Sequence, residues 1–101
     1  MATLESDEVD SALGGKLGCE VDRKKRDHNW YWVKDQGRYV TSTKISKGAR
    51  HTLGNDLVLL MARQLGLGVA GNLVKFVKCK IDKPECMKII LATYPPPKPP
   101  D

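Results

Sequence analysis

The segment from Asp27 to Arg50, DHNWYWVKDQGRYVTSTKISKGAR, limits what this chain can fold into more than any other stretch. Asn29–Val33 is rich in Trp, Tyr and Val, which favour a pleated, half-buried backbone. Asp35, Gln36 and Gly37 make a short loop in which Gly37 is free to take positive φ. Arg38–Ile45, rich in Thr, Val and Tyr, returns as a second strand. With Lys34 set opposite Arg38, His28, Trp30, Trp32, Val40, Ser42 and Lys44 share one face. Tyr31, Val33, Tyr39, Thr41 and Ile45 share the other. A one-residue bulge would undo that sorting.

The remainder reads as helical support within one domain of 101 residues, a length that buries one modest core. Ser6 is placed to cap an opening helix whose first turn is acidic. Val9, Ala12, Leu13 and Leu17 fall on one side of it; Gly14 and Gly15 weaken it and Gly18 stops it. Arg23–Arg26 is a basic linker or short strand, and Ser46–Thr52 a loop. Asn55–Leu65 carries the strongest helical period, with Leu57, Leu60, Met61, Gln64 and Leu65 as its inward face and Gly66 as its stop. Val69–Lys80 reads as a third helix burying Leu73, Phe76 and Val77. Asp82, Lys83, Pro84 and Glu85 form a capping box that opens a last helix burying Cys86, Met87, Ile90 and Leu91. Residues 94–101 hold five of the six prolines and read as a disordered tail after a domain of residues 1–93. The fold class expected is α+β, a small antiparallel sheet of two or three strands with helices on one face.

Charge is unevenly spread. The net charge is +5, yet residues 1–22 carry −5 and residues 23–101 carry +10. Between Arg23 and Arg50 nine cations face two acids. A basic hairpin behind an acidic leader suits an anionic partner, most simply nucleic acid. Cys19, Cys79 and Cys86 form no CxxC pair and have no histidine at zinc spacing, so neither a metal site nor a cofactor is expected. Free thiols fit a reducing cytoplasm. No apolar run approaches the roughly 20 residues of a membrane span, so no membrane partner is expected.

Candidate RNA-binding residues are Lys24, Lys25, Arg26, Trp30, Trp32, Lys44, Lys47 and Arg50: the cations for phosphates, the indoles for unpaired bases. The bland reading of the indoles is core, but two faces of one hairpin are both core only if a layer covers each. His28 is the candidate catalyst. A neutral imidazole takes the proton of a ribose 2′-hydroxyl, an imidazolium returns one to the leaving 5′-oxygen, and neighbouring cations stabilise the phosphorane. Its bland reading is a strand-end histidine that caps backbone groups or touches phosphate. His51 is a second histidine, set in a loop where a structural role is more natural. Gly66–Gly71 spells GxGxxG but follows a helix instead of a strand, and so reads as a joint between helices.

An opening helix ending Leu17-Gly18-Cys19, a basic run, His28 entering an aromatic strand, a Gly turn, a second strand and a helix ending QLGL together resemble the HicA-type mRNA interferase toxins. The likeness spans roughly Asp10 to Leu67 and lies in order and spacing. It implies a double-stranded-RNA-binding-like α-β-β-β-α fold with extra C-terminal helices. It also implies metal-independent RNA cleavage through His28, and an antitoxin protein as partner. Arg26-Asp27 stands where Gly-Ser is usual in that family. The rival reading is a non-catalytic nucleic-acid-binding or protein-interaction module.

Overall fold

The structure, a computed structural model, describes residues 3–24, 27–46 and 52–95. The chain opens with β1 (Leu4–Glu5) and α1 (Ser6–Ser11), which continues as a π-helical turn over Ala12–Lys16. Then come β2 (Glu20–Asp22), β3 (His28–Asp35), β4 (Arg38–Ser46), β5 (Thr52–Leu53), α2 (Asn55–Gln64), α3 (Ala70–Val77) and α4 (Lys83–Thr93). β2, β3 and β4 form one antiparallel sheet with β3 at its centre, and β1 pairs with β5 in a separate two-stranded ribbon. The protein is therefore α+β. From α1 to α2 the order is helix, the three strands of the sheet, the short β5 and helix, and α3 and α4 come after.

Ser6 is the first helical residue, and Glu5 takes the cap. Its carboxylate accepts from the Glu8 amide, and the Glu8 carboxylate accepts from the Glu5 amide at 2.9 Å. Thr52 holds Glu5 in place, donating to it at 2.8 Å across the β1–β5 ribbon. Gly18, at φ +76°, turns the chain at once, so the third strand falls on Glu20–Asp22, upstream of Arg23–Arg26. Val21 of this strand faces the helices and packs on the core.

One contiguous core joins all the helices to the inner face of the sheet. Tyr31, Val33 and Ile45 supply the sheet side, and Val9, Leu13, Val58, Met61, Leu73, Phe76, Cys86 and Ile90 the helical side. Tyr31 is buried, and its hydroxyl donates to Asp10 at 2.5 Å; Asp10 also pairs with Arg23 at 3.0 Å. That tie fixes α1 against β3.

α2 is turned by one residue from the face read in the sequence. Val58, Met61, Ala62 and Leu65 point inward, Leu57 and Gln64 are half-buried, and Leu60 is 50% exposed. Both stripes repeat at helical spacing, and each holds four apolar residues. The smaller Val58 and Ala62 let the helix approach the sheet closely, so packing selects their side. Leu60→Ala is thus expected to leave the melting free energy within about 0.5 kcal/mol of the parent, whereas Met61→Ala should cost about 2–5 kcal/mol in the same denaturant titration.

α3 is shorter than the periodic stretch Val69–Lys80, ending before Lys78. The GxGxxG stretch spans the joint between α2 and the start of α3. Tyr94, counted with the proline tail in the sequence, belongs to the domain. Its ring lies on Gly66, where an added Cβ would stand 2.8 Å from it, and Thr93 donates to the Gly66 carbonyl at 2.7 Å. Gly66 has φ +77°, so it both ends α2 and makes room for this ring.

The three cysteines differ sharply. Cys19 and Cys86 are buried, and desolvation pushes their thiols up to about 12 and about 11. Cys79 is exposed. The native protein should therefore take one equivalent of a maleimide at neutral pH and the unfolded chain three, by mass spectrometry.

Candidate nucleic-acid interface

β3 and β4 pair His28 with Ser46, Trp30 with Lys44, and Trp32 with Ser42. This is two residues further along β4 than the register read from the sequence. One residue of the difference arises at the turn, where Asp35 pairs with Arg38, and one at a bulge beside Val33/Lys34: Val33 pairs with Thr41 and Lys34 with Tyr39, leaving Val40 as the extra residue. The sorting of His28, Trp30, Trp32, Ser42 and Lys44 survives, because a shift of two preserves the face. Tyr39 and Val40 change places: Tyr39 joins the tryptophans, and Val40 packs on the core.

The outer face of the sheet carries a row of aromatic rings. Trp30 and Trp32 stack with centroids 6.0 Å apart and planes at 20°, and Tyr39 sets its edge against Trp32 at 5.6 Å. Both indoles are half-buried and Tyr39 is 53% exposed. Lys44 places its Nζ 5.3 Å from the Trp30 ring, and Lys34 its Nζ 5.2 Å from the Tyr39 ring. The buried core shared by the sheet and the helices lies on the opposite face.

The two borders of this face differ in charge. β2 lies against β3 with Glu20 beside Trp32 and Asp22 beside Trp30. The Tyr39 hydroxyl donates to Glu20 at 2.6 Å, and that carboxylate raises the phenol above its ordinary range. Lys44 lies on the β4 border. Reading across the sheet, each rung runs from acid through indole to serine or lysine.

At the β4 border the sheet meets α2. His28, Lys44 and Ser46 line a small pocket of about 60 Å³ with Leu57, Leu60 and Gln64 of α2. The three helical residues follow i, i+3, i+7 spacing and form one stripe. This stripe explains the exposure of Leu60: it faces the pocket, away from the core. Gln64 is anchored at both its polar ends. Thr41 donates to its main-chain carbonyl, and Thr43, which is 1% exposed, donates to its Oε1 at 2.7 Å.

Of the residues singled out in the sequence, the structure brings His28, Trp30, Trp32 and Lys44 onto one face. Lys24 is exposed on the far, acidic border, its amide donating to Asp22 at 2.9 Å. It lines a second, more open pocket with Glu20, Asp22, Arg23 and Trp32. Lys25, Arg26, Lys47, Arg50 and His51 lie outside the described residues. Sequence reasoning missed Gln64 and Thr43 as site residues; it placed both in the fold but had no signal for their contact, 21 positions apart. Among the described residues no group of three or more His, Cys, Asp or Glu is placed to hold a metal ion, and no helix is long and apolar enough to cross a membrane. Compared with family models, curated proteins and solved structures, the chain matches none.

Proposed function

We propose that this protein binds single-stranded RNA on the open face of its sheet. The observation that carries the reading is the row Trp30, Trp32 and Tyr39 on the face of the sheet turned away from the core, the indoles half-buried and Tyr39 53% exposed. Aromatic rings flanked by lysines offer stacking to bases of any sequence and charge to their phosphates. The acidic β2 border repels a phosphate backbone, so the strand runs along β4 with its bases turned inward over the indoles. RNA as target puts the site of action in the cytoplasm, where mRNA is translated. Tryptophan emission titrated with a short single-stranded RNA at several salt concentrations tests this. Binding should weaken with salt, each phosphate neutralised contributing about 0.7 to the logarithmic slope. Saturable binding with a flat salt response, or none at all, would leave the rival reading, a face that docks another protein.

A second reading, RNA cleavage, is favoured by the pocket that His28 shares with Lys44. In metal-independent transesterification the imidazole takes the 2′-hydroxyl proton and the 2′-oxygen bonds to the adjacent phosphorus. The 5′-oxygen leaves with that proton, giving a 2′,3′-cyclic phosphate. The lysine stabilises the extra negative charge of the phosphorane. This is the activity implied by the resemblance to HicA-type toxins, together with growth arrest on expression and an antitoxin that relieves it. His28→Ala is expected to abolish cleavage in chelator, and growth arrest, while salt-dependent RNA binding persists. Equal cleavage by both proteins, or by neither, would leave binding alone.

A further inference from the structure

The pocket between β4 and α2 has a composition that binding on the indoles does not use. Among the described residues its polar lining is His28, Lys44, Ser46 and Gln64, with no carboxylate. Lysine offers only donors, and a serine hydroxyl or an imidazole N–H donates wherever an acceptor is presented. The carboxamide of Gln64 would be ambiguous, since it has an acceptor end and a donor end. Thr43 removes the ambiguity. Its hydroxyl is in the core, donates to Oε1 at 2.7 Å, and leaves the two N–H bonds of Nε2 for the pocket. Thr41 holds the main chain of the same residue, so the carboxamide cannot swing away with its helix end.

We propose that this pocket is an oxyanion seat for one RNA phosphodiester, with Gln64 as its neutral donor and Thr43 as the residue that orients it. The proposal rests on the RNA-binding reading and adds a defined phosphate position to it. A volume of about 60 Å³ has room for a group the size of a phosphate. The Leu57 and Leu60 side chains give the pocket an apolar wall beside these donors. Lys44 spans the two parts of the site: it lines the seat and places its Nζ 5.3 Å from the Trp30 ring. A phosphate in the seat thus lies next to the first stacked base.

A neutral donor and a cation leave different signatures in a salt titration. Removing a lysine that neutralises a phosphate lowers both the affinity and the salt slope, by about 0.7 in the slope. Removing a neutral donor lowers affinity at every salt concentration and leaves the slope alone. Two variants separate the seat from mere folding. Gln64→Glu keeps an acceptor for Thr43 but turns the donor end into a repelling oxygen. Thr43→Val keeps the shape of the side chain and frees the carboxamide to rotate. Each is titrated with a fluorophore-labelled single-stranded RNA and with inorganic phosphate as competitor, and each is checked by thermal melting.

Hydrogen bonds to charged groups predict a loss of about 10- to 100-fold in RNA affinity for Gln64→Glu, and a smaller loss for Thr43→Val with the parent salt slope. Inorganic phosphate should compete with RNA for the parent protein and lose that effect in Gln64→Glu. Parent-like affinity in both folded variants would overturn the seat while leaving RNA binding intact. A parent protein without salt-dependent RNA binding would overturn the RNA reading itself. If Gln64→Glu melts early, Thr43→Val decides, together with the phosphate competition on the parent: no competition there ends the proposal.

Discussion

Phe76→Ala is expected to lower the free energy of unfolding by about 3–5 kcal/mol, a large part of what a domain of this size has. The ring is fully buried on α3, and Leu73 and Val77 of the same helix are buried with it. Lys16 caps it from the other side, with Nζ 4.4 Å from the ring centroid and donating to the Phe76 carbonyl at 2.5 Å. Truncation therefore leaves a cavity and also takes away the face over which a partly buried ammonium rests. A urea titration followed by far-ultraviolet circular dichroism measures this. A loss below about 1 kcal/mol would mean that α3 is loosely attached to the core, contrary to its packing.

The largest functional effect is expected for the double change Trp30→Ala with Trp32→Ala. Stacking of a base on an aromatic side chain is worth about 1–3 kcal/mol, so removing both rings should reduce RNA affinity by about 30-fold or more. The rings lie outside the core, so the variant should still fold, with a modest fall in melting temperature from the lost ring contacts. Their loss removes no cation, and the salt slope should stay near the parent value. Lys44→Gln is the counterpart, with a modest drop in affinity and a slope reduced by about 0.7. If the double variant binds RNA like the parent, the platform is a protein-docking face or an unused surface.

Strong local signals made much of this fold legible. The hairpin was readable because Trp, Tyr, Val and Thr alternate around a Gly turn, and the last helix because Asp82 accepts from the Glu85 amide as its spacing predicts. The sorting of His28, Trp30, Trp32 and Lys44 to one face was readable for the same reason. The bulge at Val40 was not, since one extra residue in a ladder leaves no trace in composition, and it exchanges Tyr39 with Val40. The rotation of α2 was hidden because two stripes, one step apart, both repeat at helical spacing. Only the space under the sheet, which admits Val58 and Ala62, decides between them. The two-residue strands β1 and β5 are too short to carry any period. Gln64 was readable as part of a helix, but its role depends on Thr43 of another element. Contacts of that kind come from packing alone.

The placement of the tryptophans also affects how this protein is watched in solution. The chain has two, Trp30 and Trp32, and both lie on the outer face, stacked on one another. Their emission reports the surface of the sheet; the core, lined by Tyr31 and Phe76, is silent at that wavelength. A variant with a weakened core could keep parent-like fluorescence until the sheet itself opens. Conversely, anything that settles on the indoles changes the signal without any change in folding. Unfolding curves from fluorescence and from circular dichroism should be compared before either is converted to a free energy, because coincidence of the two is the test of two-state behaviour.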